Sequence, residues 1–173
     1  MRRARPLRLL ARSGDEAGAS LVEFALVLPV FMMLLLGMLT GGLAYNRKLS
    51  VAQAGREGAR YGATLPITAA LPMDGWLAKV AQVTIASSDG ELEPDRPGQM
   101  VCVAHVDSAG TARQRRQTGS TVSLADAPCI ADDGRAGETR VQVVTRRDSK
   151  LEALVFSRDL DLTSRAVARF EAQ

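Results

Sequence analysis

Residues 19–45 read ASLVEFALVLPVFMMLLLGMLTGGLAY, with Glu23 the single charge among them. From Phe24 to Tyr45 there are 22 consecutive uncharged residues, most of them large and apolar. As a helix this run is about 33 Å long at ~1.5 Å per residue, enough to cross a bilayer core of about 30 Å. A chain built around such a stretch is organised as a span plus whatever it carries. The sequence therefore divides into residues 1–18, a transmembrane helix over 19–45, and a domain over 46–173.

Upstream of the span, Arg2, Arg3, Arg5, Arg8 and Arg12 stand against Asp15 and Glu16. The whole chain holds 22 Lys and Arg, 19 Asp and Glu, and a formal net charge of +3. The first 18 residues account for all of that excess, and the remainder is balanced. The basicity thus describes a leader, and no nucleic-acid partner is expected from it. A positive head before an apolar stretch is an export signal. Five arginines before the span against Arg47, Lys48, Arg56 and Arg60 after it place the N-terminus in the cytoplasm. The expected location is the cytoplasmic (inner) membrane, single-pass, with 46–173 extracytoplasmic. Two plainer readings compete: a signal peptide cut after Gly42-Leu43-Ala44, or a signal anchor whose Glu23 snorkels to the interface. Against the first, the apolar run exceeds the usual 7–15 residues and contains a carboxylate.

Glu23 is the residue that most needs an explanation. A carboxylate inside a span costs on the order of 2.5–3.5 kcal/mol at the bilayer centre, and less near the interface. If the chain is cut after Gly18, Ala19 becomes a free α-amine four residues away, about 6 Å along a helix. Staggered helices then pair the carboxylate of one with the amine of the next. Pro29, further along, is tolerated in a membrane helix whose neighbours satisfy the freed carbonyl.

Gly18-Ala19-Ser20-Leu21-Val22-Glu23-Phe24-Ala25-Leu26-Val27-Leu28-Pro29 resembles the opening of TadE-like pseudopilins of the tight-adherence (Flp) pilus system, within the type IV pilin-like class. Ala54-Gly55-Arg56-Glu57-Gly58-Ala59-Arg60-Tyr61 resembles that family's second signature, while Thr40-Gly41-Gly42 departs from its pattern. The resemblance implies leader cleavage between Gly18 and Ala19 by a prepilin peptidase, and assembly roles for Glu23, Phe24 and Pro29. It also implies family-motif roles for Arg56, Glu57, Arg60 and Tyr61. The implied partners are other pilins or pseudopilins, the assembly machinery and membrane lipid.

Helical character continues through 46–64. Val51, Ala54, Gly55, Gly58, Ala59 and Gly62 fall on one narrow face, with Gln53, Arg56, Glu57 and Arg60 opposite. Glycine inside a helix costs about 1 kcal/mol relative to alanine, so three on one stripe imply close approach of another backbone. Packing of Gly55, Gly58 and Gly62 on the chain's own sheet is favoured. Gly37 and Gly41, spaced for helix association within the membrane, are the better candidates for contact with another subunit.

In the remaining domain Asp74 is expected to cap a short helix over 74–86, with Leu77, Val80, Ala81 and Ile85 inward. Strands are expected near 100–106, 140–145 and 162–170, and the run Leu151–Phe156 reads equally as strand or helix. The fold class is α+β and pilin-like: a long N-terminal transmembrane helix packed on a small antiparallel β-sheet. The core is thin and alanine-rich. A Cys102–Cys129 bridge closing a loop of about 28 residues would contribute roughly 3–4 kcal/mol; two reduced buried thiols are the alternative.

Catalytic chemistry is hard to find. There is no phosphate-binding loop, dinucleotide fingerprint, HExxH or CxxC, and no cofactor is expected. His105, the single histidine, reads as a packed or surface residue of a strand. Asp132-Asp133-Gly134 with Glu138 lacks the EF-hand spacing and reads as an acidic loop. Arg113-Gln114-Arg115-Arg116, without aromatics nearby, reads as a solvated loop rather than a contact for an acidic polymer. The expected function is structural and non-enzymatic, a pseudopilin or minor pilus component. The competing class is a signal-anchored extracytoplasmic binding module unrelated to pili.

Overall fold

The computed structural model describes residues 14–93, 96–153 and 156–171. Most of the expected leader, residues 1–13, lies outside them. Helix α1 runs unbroken over Gly14–Thr64, 51 residues, and passes through Pro29 and through the Gly18–Ala19 junction. It stops where Pro66 follows closely, since the residue before a proline is pushed out of the α region. The Thr64 hydroxyl donates to the Tyr61 carbonyl at 3.1 Å and helps close that last turn.

Helix α2 covers Met73–Ala86, and its start corrects one expectation. The N-cap is Pro72, with φ −68°, and no side chain caps the helix. Proline's fixed φ sets the entry of the chain without a hydrogen bond. Asp74 instead lies in the first turn, where a carboxylate favours the positive end of the helix dipole. It accepts from Arg113 Nε at 3.0 Å.

Five strands follow: β1 (Gln99–Val106), β2 (Ala112–Thr118), β3 (Thr121–Ala125), β4 (Arg140–Ala153) and β5 (Phe156–Arg169). They form one sheet in the order β3-β2-β1-β4-β5, with every neighbouring pair antiparallel. The α+β layout of a long apolar helix on a small antiparallel sheet is thus as expected. β2 and β3 are additions, and they correct the solvated-loop reading of Arg113–Arg116. Arginine and glutamine carry little strand signal, yet pairing is made by the backbone. Arg113 is held by Asp74 and Asp126, the latter at 2.8 Å, and Gln114 is buried. Asp74 hydrogen-bonds the guanidinium and so raises the Arg113 pKa; the same bond lowers that of Asp74. The Leu151–Phe156 run divides at Leu154-Val155, outside the described residues, and both flanks are strand.

The helices cover one face of the sheet. Val101 and Val103 of β1, Val141 and Val143 of β4 and Ala166 of β5 meet Val51, Ala54 and Ala59 of α1 and Trp76, Leu77 and Val80 of α2. Trp76 is fully buried, and its indole N–H donates to the Leu65 carbonyl at 2.9 Å. His105 lies edge-on between Trp76 and Phe170. Burial there pushes its pKa down, against the opposing field of Asp107.

The connection between β3 and β4 folds over the other face, where Ile130 packs on Cys102 and Val144. The Cys102–Cys129 disulfide ties it to β1. The buried Gln142 side chain pins the same loop by accepting from the Ile130 N–H at 2.9 Å and donating to the Ile130 carbonyl at 3.1 Å. It also donates to Asp133, which pairs with Arg140. Burial by itself raises the Asp133 pKa, but the bonds from Gln142, Arg140 and the Arg135 N–H outweigh it, and the net shift is downward. A carboxyl whose folded pKa lies below its unfolded value stabilises the fold above the unfolded value, and that stability is lost as pH falls through the folded one. Asp133→Asn is therefore expected to lower stability at neutral pH and to flatten its loss below about pH 4. Denaturant midpoints of both proteins between pH 7 and pH 3 measure this; parallel curves would contradict it.

Candidate assembly surface on the long helix

The elements that carry α1 also decide which of its residues remain available. Residues 18–39 are exposed on every side, a length of about 33 Å. Gly18, Ala19, Glu23, Phe24 and Pro29 all lie in this bare segment. Leu21, Val22, Phe24, Leu26 and Val27 are 60–72% exposed, a level that suits lipid or a helix bundle and not water. The helix fits a single-pass membrane anchor by length and composition. Ala19 and Glu23 are one helical turn apart, so the carboxylate and any amine formed at Ala19 share one side of the helix.

The glycines separate into two groups. A Cβ built at Gly37 or Gly41 meets nothing within 4 Å, so the structure brings no described partner to them. At Gly55 it meets Thr145 Oγ1, Ser164 Oγ and Ala166 Cβ at 3.6–3.8 Å, which is the sheet. At Gly58 it lands 1.9 Å from Thr84 Oγ1 of α2, and at Gly62 it meets Val141, Trp76 and Val80 at 3.0–3.1 Å. Gly55, Gly58 and Gly62 thus face the chain's own sheet and second helix. Sequence reasoning did not single out Thr84 as the partner of Gly58. The signal was present, because Thr84 continues the spacing of Leu77, Val80 and Ala81 on the inward face of α2.

The motif residues lie back to back with this stripe. Tyr61 is half-buried against the core, whereas Arg56, Glu57 and Arg60 are exposed. Among the described residues none of these three charges forms an ion pair within the chain. Together with Gln53 and Ser87 they line a shallow open depression of ≈ 460 Å³. A second depression, ≈ 530 Å³, lies at the far end of the sheet beside His105, Asp107, Glu138 and Arg169. Among the described residues no cluster of His, Cys, Asp and Glu has the makings of a metal site. The surface is a charged ridge on a helix that continues into a bare apolar rod.

Comparison with known proteins bears on this same helix. Residues 18–60 match the family model described as TadE-like protein. The match begins at Gly18 and ends at Arg60, taking in the bare rod and most of the glycine-and-arginine motif, and it bears out the resemblance read from those residues. No curated protein and no solved structure matches the chain.

Proposed function

We propose that the chain is a structural component of tight-adherence (Flp) pilus assembly, acting as a pseudopilin or minor pilus subunit and not as an enzyme. The observation that carries this reading is that the TadE-like match, over residues 18–60, takes in the whole of the bare segment 18–39. A helix of 51 residues is built into the fold only by its C-terminal half, from Thr40 onward, and residues 18–39 offer a bare apolar surface with one carboxylate. In this reading a prepilin peptidase cuts between Gly18 and Ala19. The rod is held in the cytoplasmic membrane with 46–173 extracytoplasmic, until it joins or primes a bundle of pilins. Glu23 is then neutralised by the Ala19 amine of a neighbouring subunit. Phe24 and Pro29 shape the same stretch, and Gly37 and Gly41 let a neighbour's helix come close. Arg56, Glu57 and Arg60 meet charges on adjoining subunits.

Mass spectrometry of the membrane-fraction protein tests the central step: the mature chain is expected to begin at Ala19. A chain beginning at Tyr45, or uncut at Met1 in cells with an active prepilin peptidase, would overturn it. Glu23→Ala is expected to insert normally and to fail in assembly, because the amine pairs with nothing; pilus formation at wild-type levels by this variant would contradict the stagger.

A further inference from the structure

We propose that the outer edge of β3 is an interaction surface that takes up, as an added strand, an extended acidic segment of a different extracytoplasmic protein. This goes beyond the pilus role and rests on the span lying in the membrane.

Three observations carry it. First, the edge is open. β3 ends the sheet on one side, and among the described elements no strand or helix other than β2 comes close to it. A two-residue turn, Gly119-Ser120, joins it to β2, so the flanking pair Thr118↔Thr121 is of the hydrogen-bonded kind. Alternation along the strand then turns the N–H and C=O of Val122 and Leu124 outward, where an added strand would meet them. Second, the edge is apolar where edges are ordinarily guarded by charge. Val122 and Leu124 are 42% and 44% exposed, and among the described residues they are the exposed large apolar side chains outside α1. β3 holds no charge, whereas the opposite edge strand, β5, holds Arg158, Asp159, Asp161, Arg165 and Arg169. Third, the edge is flanked by uncompensated cations. Residues 112–125 contain three arginines and no acid. Arg113 is taken by Asp74 and Asp126. Arg115 and Arg116 form no ion pair among the described residues, and Arg115 Nε is buried without a hydrogen-bond partner. The two stand on opposite faces, Arg115 level with Leu124 and Arg116 level with Ser123.

These features define the occupant. An added strand lies ~4.8 Å beyond β3 and hence about 10 Å from β2. Arg116, reaching across the small Ser123, and a carboxylate of the added strand together span that gap. The partner segment therefore sets apolar residues beside Val122 and Leu124 and an acid between them, level with Ser123. A second copy of this chain does not fit. α1 lies along β4, with Gly62 at Val141 and Gly55 at Thr145, so it runs in line with the strands. Antiparallel pairing of two β3 edges, about a two-fold axis normal to the sheet, reverses the second α1 and points its span away from the first one's membrane. Pairing of β3 with another copy's β5, both copies at one height, brings Arg165 beside Arg116. The sheet register sets Arg165 level with Ser123, so like charges meet there.

The test uses the full chain in the cells that make it. The photo-crosslinker p-benzoylphenylalanine replaces Val122 or, as the control, Ser108 in the loop between β1 and β2. Irradiation is expected to give an adduct from position 122, absent from position 108, with a different protein. Its cross-linked peptide should contain an acid with an apolar residue on either side. Arg116→Glu should lower the yield at least about tenfold and Arg116→Lys should not. Exchanging the partner's acid for lysine should restore the yield with Arg116→Glu. Leu124→Pro should abolish the adduct while circular dichroism shows the domain folded, because proline on an edge removes an outward N–H and no bond to β2. Membrane fractionation of the same cells reads the span separately. An adduct with a second copy of this chain or with lipid, or none beyond the control, overturns the proposal. So does an adduct indifferent to Arg116→Glu or to Leu124→Pro.

Discussion

Gly58→Ala is expected to lower the stability of the domain by about 2 kcal/mol, although alanine is the better helix former. Replacing glycine in a helix interior gains up to about 1 kcal/mol when there is room. At Gly58 there is none, because the new methyl would lie 1.9 Å from Thr84 Oγ1 and 3.0 Å from Thr84 Cβ. Thr84 is fully buried, and its hydroxyl already donates to the Val80 carbonyl at 2.9 Å. Turning it away forfeits that bond and brings the γ-methyl into the same space. The two helices must therefore separate, and overpacking of this kind costs about 1–3 kcal/mol or more. Gly55→Ala provides the internal contrast. Its new methyl meets the sheet at 3.6–3.8 Å, ordinary contact, so this variant is expected to be neutral or up to about 1 kcal/mol more stable. Gly62→Ala, with contacts of 3.0–3.1 Å to three side chains, falls between them. Thermal unfolding followed by circular dichroism in detergent should show a Tm fall of roughly 5–10 °C for Gly58→Ala and none for Gly55→Ala. Adding Thr84→Ala to Gly58→Ala should recover much of the loss, a coupling of the kind a double-mutant cycle isolates. Equal Tm values for the two glycine variants would refute the close approach of α1 and α2.

Removal of the Cys102–Cys129 disulfide is expected to cost about 3–4 kcal/mol. The two cysteines are 27 positions apart, and on the chain-entropy model a loop of that size contributes this much. Against a total of roughly 5–15 kcal/mol for a typical domain, that is a large share. The effect is expected to be uneven across the fold. The bridge holds the β3–β4 connection, whose Ile130 covers Cys102 and Val144, while the helix-covered face of the sheet has its own larger core. A reductant, or Cys102→Ala with Cys129→Ala, should therefore first expose backbone amides of 126–139 and then lower the global midpoint. Denaturant unfolding with and without reductant, together with hydrogen exchange, reads both. The double alanine variant should be insensitive to reductant. A wild-type midpoint unmoved by full reduction would show that Gln142 and Asp133 hold the loop unaided.

The long apolar helix was more legible in the sequence than the build of the domain it carries. The uncharged run after Glu23 is legible from its length, and the small-residue stripe at 51–62 from its period, because the period of the side chains is the period of the backbone. The apolar run at 100–106 is bounded and strand-like, and both of its faces are largely buried. β2 and β3 lay outside that reach. β2 is almost wholly polar and β3 is only five residues long, with the Gly119-Ser120 turn between Thr118 and Thr121 as a local cue. The cap assigned to Asp74 failed for a related reason: a short acidic residue before a helix serves equally as a cap or as a partner for a distant arginine. Which one it becomes depends on a strand 39 residues away in sequence.

By itself the sequence determined the anchor, the place of its lone carboxylate and the face by which the helix joins its domain, all consequences of hydrophobic period and length. Tertiary structure alone decided that Gly58 faces Thr84 while Gly55 faces the sheet. It also paired Arg113 with Asp74 and laid β4 along α1, with Thr145 against Gly55. Each of these depends on distances between segments far apart in the chain, and such distances are set only when the segments pack.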